Sequence, residues 1–149
     1  MKEADLNVFI DGAVNYFSQV SGVSARVGTP YLMDDRQSTA ARGYTGIIGV
    51  TGERQGNVCF TAPKVLVKVL LMSLGEDDTT HENMCDVVGE VANTISGNAR
   101  KFFGKEFMIS APIVVADQSE KPKLPVDVRS YVVPIAWRGY EAGLVISLG

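Results

Sequence analysis

The sequence predicts an α+β domain in which an antiparallel sheet packs with helices, in the order helix, three strands, two helices, three strands. Two observations carry this prediction: apolar residues recur with helical period in two long segments, and short segments rich in β-formers surround them. With 149 residues, 46% of them hydrophobic, the chain is long enough for one core and too short for two domains of ordinary size. We therefore predict a single domain over residues 1–149.

The first half is predicted to begin with an amphipathic helix over residues 4–20, which Gly22 ends. Its apolar residues follow the i, i+3, i+4, i+7 spacing: Leu6, Phe9, Ile10, Ala13, Val14 and Phe17. Strands follow at residues 25–33, 44–51 and 57–61, and the turn-like GERQG joins the last two as an antiparallel pair. Residues 34–43 are polar and aperiodic, which predicts a long, exposed and mobile connection.

The second half is predicted to begin with a short buried helix that ends at Gly75. Thr61 is its expected cap, and Pro63 lies near its first turn. Thr80 is the expected N-cap of a long helix that ends near residue 104. Strands follow at residues 107–115, 131–137 and 140–148, with a polar loop at 117–127 and a tight turn at Arg138 and Gly139.

The two halves form a possible weak internal repeat. Setting Asn15 against Asn93 puts Gly12 where the long helix has Glu90, and each half then reaches a proline within a strand, Pro30 or Pro112. The alternative is that any two amphipathic helices can be aligned this loosely.

Composition excludes several classes of function. Lys and Arg total 14 against 17 Asp and Glu, and no basic cluster appears, so nucleic acid is not expected as a partner. The longest apolar run, residues 65–74, is far shorter than the ~20 residues that cross a bilayer, so no membrane partner is expected. Acidic residues interrupt the N-terminal segment, which argues against a secretion signal and for the cytoplasm.

The cysteines and the histidine give little reason to expect a reactive centre. Cys59 and Cys85 lie in a predicted strand and a predicted helix without further ligands at metal-binding spacing, so we expect two reduced, packed thiols. His81 is the only histidine, and it lies at a predicted helix start. A Ser/His or Cys/His triad would depend on this one residue.

The long helix carries the candidate working surface. Asp86, Glu90, Asn93 and Gly97 fall within about 60° of one another at 100° per residue. The opposite face is apolar and contains Met84, Val88, Val91, Ile95 and Phe102. Gly89 and Gly97 weaken the helix by up to ~1 kcal/mol each, which suggests that something approaches it closely. The alternative is an ordinary solvated helix face.

The segment DVVGEVAN, with Asp86, Glu90 and Asn93 at its key positions, resembles the signature helix of the CheX/CheC/FliY family of chemotaxis phosphatases. The longer run GEVANTISGNARKFFG resembles the CheX branch most closely. The resemblance implies a CheC/CheX-like fold, one site per chain, and an enzyme that removes phosphate from the aspartyl-phosphate of a CheY-type response regulator. One departure is that only 18 residues separate Asn93 from Pro112, fewer than in the family motif.

Carried over to this chain, the resemblance gives each site residue a role. Asn93 would orient the attacking water, Glu90 would pair with a lysine of the regulator, and Asp86 and Gly97 would contribute to docking. An amide both donates and accepts hydrogen bonds, so it can hold a water without a shifted pKa. No cofactor of its own is expected, because Mg²⁺ would belong to the phosphorylated partner.

Two further readings belong to other classes of protein. The first is a non-catalytic module that docks a regulator through the same helix. The second is a dimeric scaffold, because CheX-like proteins pair through strands and the final strand, residues 140–148, would leave an open apolar edge. A homodimer is compatible with catalysis, so the scaffold reading holds only if activity is absent.

Overall fold

The computed structural model describes residues 1–33, 43–116 and 129–149. Within them, three helices pack against one antiparallel sheet of eight strands. The elements are α1 Glu3–Ser21, β1 Arg26–Val27, β2 Tyr31–Leu32, β3 Tyr44–Gly52, β4 Gly56–Ala62, α2 Lys64–Ser73, α3 His81–Phe103, β5 Phe107–Ile109, β6 Ile113–Ala116, β7 Ser130–Trp137 and β8 Tyr140–Leu148. The predicted α+β class is confirmed.

The core lies between the helices and one face of the sheet. Side chains that alternate onto that face, such as Phe60 and Trp137, are fully buried against Phe17 of α1. On the opposite face, Cys59, Val132 and Val145 form a second, small cluster. None of the described helices is long and apolar enough to cross a membrane.

The strand order is β1–β7–β8–β4–β3–β5, with β2 also beside β7 and β6 also beside β3. The predicted strands at residues 25–33 and 107–115 are therefore each split in two. Pro30 and Pro112 lie at the two breaks, where a proline lacks the N–H that a sheet ladder requires. The order of elements agrees with the prediction, whereas the breaks in the two outer strands were not predicted.

The two halves share an unusual register. Val27 of β1 and Tyr31 of β2 are four residues apart in the sequence, whereas the residues of β7 that they pair with are only three apart. In the same way, Ile109 of β5 and Ile113 of β6 are four residues apart, whereas the residues of β3 that they pair with are three apart. An equal one-residue slip at equivalent positions supports the internal repeat.

The repeat aligns the helices differently from the sequence prediction. If Val27 is matched to Ile109, then Gly22 and Gly104, which follow α1 and α3, also match. This register places Asp11, and not Asn15, opposite Asn93. The predicted helix alignment is thus wrong by four residues, about one helical turn.

The final strand β8 does not have an open edge, and that prediction is wrong. It pairs with β4 on one side and with β7 on the other. The β7–β8 hairpin therefore lies next to the β3–β4 hairpin in the sheet. The outer strands of the described sheet are the broken ones, β1 with β2 and β5 with β6. Short, proline-broken outer strands offer little backbone for pairing with another chain.

Three smaller predictions have mixed outcomes. Thr80 caps α3 as predicted, because its side chain accepts a hydrogen bond from the Asn83 N–H. Thr61 lies within β4 and does not cap α2, whose N-cap is Pro63. Phe102 is 67% exposed rather than buried, since Phe103 takes the inward position and stacks on Phe107.

The polar connections predicted at 34–43 and 117–127 lie outside the described residues, except Gly43.

An ion pair ties the start of α1 to the β3–β4 turn. Arg54 Nη2 donates to Asp5 Oδ2 at 2.9 Å, and the guanidinium also lies 4.9 Å from the centre of the Phe103 ring. Burial alone would raise the pKa of Asp5. The hydrogen bonds from the Lys2 backbone and Arg54, with the Arg54 charge, outweigh burial and lower that pKa.

Asp5→Asn is expected to lower the free energy of unfolding by about 1 kcal/mol near neutral pH. Because the folded-state pKa lies below the unfolded value of 3.8, the contribution is present above that pH and is lost as the pH falls through the folded value. Urea unfolding of parent and variant between pH 7 and pH 2 measures this. Asp11→Asn, an exposed change on the same helix, is the control. A deficit in Asp5→Asn that is unchanged at pH 2 would contradict the assignment.

Candidate functional site

The candidate surface is the outward face of α3. Asp86, Glu90 and Asn93 are all exposed there, and Gly97 is half-buried. The opposite face is buried as predicted through Met84, Val88, Val91 and Ile95. The described cavities, of about 680, 320 and 260 Å³, are lined by other residues. The four residues therefore lie on an exposed helix face outside these cavities, which suits a macromolecular partner better than a small ligand.

Caps at both ends hold α3 in place. At its start, the Thr80 side chain and carbonyl accept from the Asn83 and Met84 backbone N–H groups. At its end, the Gly104 N–H donates to the Arg100 carbonyl. Because the helix is fixed at both ends and buried along one side, the exposed stripe is presented on a rigid element.

Two glycines let α3 approach the sheet closely. A Cβ built on Gly46 of β3 would lie 2.9 Å from the Val88 carbonyl oxygen, and one built on Gly89 would lie 3.2 Å from Val114 and 3.4 Å from Pro112. The close approach at Gly89 is thus made by the chain's own β6 region. Fewer residues separate Asn93 from Pro112 than in the family motif. Pro112 nevertheless lies against α3 at Gly89, the residue before Glu90.

Gly97 differs from Gly89. No atom lies within 4 Å of a Cβ built there, and its φ is not in the left-handed region that would require glycine. Nothing within the described structure therefore explains a glycine in the middle of a long helix. The open space leaves room for the backbone of another molecule at one end of the stripe.

The charges on this face have no partner in the described residues. The described residues form one ion pair, between Asp5 and Arg54. No hydrogen bond among these residues involves the side chain of Glu90 or Asn93. Glu82, Asp86 and Glu90 are exposed and follow one another at i, i+4 spacing. Each such pair of like charges destabilises a helix by roughly a few tenths of a kcal/mol. A cationic partner would relieve this repulsion.

His81 and Cys85 meet at the start of α3. His81 Nε2 lies 3.6 Å from the Cys85 sulfur, and Nδ1 lies 2.9 Å from the Tyr44 hydroxyl. Burial and the charge of Asp86 raise the pKa of the Cys85 thiol, so it is not an activated thiolate. Both cysteines are free, as predicted. No group of three or more His, Cys, Asp or Glu in the described segments is placed to hold a metal ion.

One buried polar group near the stripe was not predicted from the sequence. Tyr16 of α1 is 4% exposed, and in the part of the chain that the structure describes its hydroxyl has no hydrogen-bond partner. Burial and then the charge of Glu90 raise its pKa. Tyrosine is common on buried helix faces, so the sequence alone carries no signal that would single it out.

This arrangement provides an amide, a carboxylate and a gap on one rigid face. The Asn93 amide can donate and accept hydrogen bonds at once, and the Glu90 carboxylate can accept from an ammonium group. Neither group needs a metal for these tasks. The face can therefore position a water and bind a cation on a docked protein.

Comparison with known proteins gives a family and a fold. Residues 44–136 match the family model described as chemotaxis phosphatase CheX. A CheC-like superfamily protein from Shewanella sp. PV-4 is similar in structure, with a TM-score of 0.87 and 24% identity over 100% of this chain and 99% of that one. CheX from Vibrio vulnificus has a TM-score of 0.84 and 21% identity over 98% and 99%.

A third similar structure contains a partner. It is the CheX-CheY-BeF3-Mg²⁺ complex from Borrelia burgdorferi, with a TM-score of 0.79 and 20% identity over 96% of each chain. At these identities, the three structural likenesses show the fold alone. No curated protein sequence is significantly similar to the chain.

Proposed function

Since the chain belongs to the chemotaxis phosphatase CheX family, we propose that it hydrolyses the aspartyl-phosphate of a CheY-type response regulator. The observation that carries the proposal is the pair Glu90 and Asn93, which is exposed on one face of α3 and has no hydrogen-bond or ion-pair partner among the described residues. The Borrelia burgdorferi complex, in which a CheX is bound to CheY with BeF3 and Mg²⁺, supports a partner of this type. The cytoplasm is the proposed place of action, as the compartment of such a partner.

In the proposed mechanism, the chain supplies positioning rather than covalent chemistry. The Asn93 amide accepts a hydrogen bond from a water and directs its lone pair at the phosphorus. The Glu90 carboxylate binds an ammonium group of the regulator, which fixes the register of the two proteins. Positioning and electrostatic stabilisation are most of what phosphoryl transfer requires of a protein. The Mg²⁺ belongs to the regulator in this proposal.

Asp86 and Gly97 are proposed as docking residues at the two ends of the stripe. Asp86 extends the acidic surface by one turn, and Gly97 gives the regulator space to approach the helix backbone. Neither residue is assigned a role in the chemical step.

Phosphate release from a panel of phosphorylated CheY-type regulators tests the proposed function. The parent protein and Asn93→Ala are compared with spontaneous hydrolysis of each regulator. Acceleration by the parent alone supports a phosphatase and identifies its substrate. If the parent binds a regulator without accelerating hydrolysis, the non-catalytic module is the better description.

Gly97→Ala is expected to stabilise the fold and to weaken docking. Alanine favours a helix over glycine by up to ~1 kcal/mol, and no described atom obstructs the added methyl group. The same methyl group would fill the space proposed for the regulator, so KM should rise several-fold. Thermal unfolding and phosphate-release kinetics measure the two effects. A variant that is more stable and has an unchanged KM would remove Gly97 from the docking surface.

A homodimer is also proposed, although not through β8, whose two edges are both paired. Exposed apolar side chains on the outer strands, Tyr31 and Leu32 on one side and Met108 and Ile113 on the other, are the proposed contact regions. Light scattering at micromolar protein should give twice the mass of one chain. A monomer under these conditions would contradict the homodimer without affecting the proposed site.

A further inference from the structure

Tyr16 comes one turn after Gly12, on the face of α1 that contacts α3. The tyrosine ring packs edge-on against Phe17, with ring centres 5.5 Å apart. A Cβ built on Gly12, one turn earlier, would lie 3.6 Å from the Ile95 side chain and 3.3 Å from the Asn98 amide nitrogen. The two helices are thus in close contact one turn from Tyr16.

The helices run in opposite directions. Phe9 near the start of α1 packs 6.1 Å from Phe103 at the end of α3, and Gly12 meets Ile95 further along. Tyr16 comes one turn after Gly12. It therefore lies level with α3 about one turn before Ile95, near Val91, and Glu90 is the next residue along.

The hydroxyl is both buried and unpartnered. A buried donor without an acceptor destabilises a protein, and phenylalanine would fill nearly the same volume without that penalty. Burial, and after it the charge of Glu90, raises the pKa of the phenol, so the hydroxyl remains a hydrogen-bond donor. An anionic acceptor is thus nearby on the surface that is proposed to dock the regulator.

We propose that Tyr16 is a positioning residue for Glu90, and that its hydroxyl donates a hydrogen bond to the Glu90 carboxylate when the regulator docks. The inference rests on the proposed function. One carboxylate oxygen would accept from Tyr16 while the other faces the ammonium group of the regulator. Tyr16 would thereby hold the carboxylate in one orientation and strengthen docking, while the chemical step remains with Asn93.

The test is a double-mutant cycle of the parent, Tyr16→Phe, Glu90→Ala and the double variant. Binding is titrated with a CheY-type regulator that carries Mg²⁺ and beryllofluoride, and KM and kcat are taken from phosphate release. Tyr16→Phe should raise Kd and KM about tenfold, the loss of one hydrogen bond to a charged group, and leave kcat nearly unchanged. In the Glu90→Ala background, which has no acceptor at this position, it should have little further effect.

Ser96→Ala is the matched control, because Ser96 is also fully buried and its hydroxyl is also unpartnered. Both substitutions should leave the protein folded and at least as stable as the parent, but only Tyr16→Phe should weaken docking. Parent-like binding by Tyr16→Phe, or an equal loss in the Glu90→Ala background, would overturn the inference alone. A parent that neither binds nor dephosphorylates any regulator would overturn the proposed function together with it.

Discussion

Asn93→Ala is expected to lower turnover of the phosphorylated regulator by about 100-fold or more, the usual loss when one positioned polar group is removed from a site. The Asn93 side chain is exposed, and none of the described hydrogen bonds involves it, so its loss removes no structural contact. Alanine also favours a helix more than asparagine does. The variant should therefore be as stable as the parent, and lost activity would not reflect unfolding.

The matched control for this prediction is Asn15→Ala. It removes the same amide from an exposed position on α1, one that a simple alignment of the two halves sets against Asn93. Phosphate release should be parent-like in Asn15→Ala and close to spontaneous hydrolysis in Asn93→Ala, while both bind the regulator. Parent-like turnover in Asn93→Ala would rule out the proposed water-positioning role and leave docking as the function of this face.

Local patterns predict the elements well because their signals lie within a few residues. The spacing of the apolar residues in α1, together with Gly22 after them, predicts a helix over residues 4–20. The observed helix is Glu3–Ser21, so each predicted end is within one residue of the observed end. The last hairpin follows from its turn, where Arg138 and Gly139 both adopt positive φ. The exposed stripe on α3 needs only the helical period, so the sequence alone is enough to predict which residues share it.

Features that depend on distant parts of the chain could not be predicted in this way. The position of β8 inside the sheet depends on its pairing with β4, more than eighty residues earlier. Phe102 and Phe103 are equally apolar, and only the end of the sheet decides which of them is buried. Likewise, the approach of Gly46 to α3 and the effect of the Glu90 charge on the pKa of Tyr16 involve residues that no local pattern connects.

Gly46→Ala is expected to destabilise the protein by about 1–3 kcal/mol, the usual effect of adding a methyl group to a full core. The new Cβ would lie 2.9 Å from the Val88 carbonyl oxygen and 3.2 Å from the Ala92 Cβ. Both neighbours are fixed parts of α3, so neither can rotate away as a flexible side chain would. The helix itself has to move outward from the sheet.

This movement should also affect the site, because Val88 and Ala92 flank Glu90 on the same helix. A misplacement of even 1 Å can reduce catalysis by about 100-fold, so Gly46→Ala should lose activity as well as stability. Urea unfolding and phosphate release measure the two losses. Gly143→Ala is the control, since a Cβ there meets its nearest atoms at 3.7 Å, an ordinary contact. If the two alanine variants were equally stable and active, the close fit between β3 and α3 would not be what positions Glu90 and Asn93.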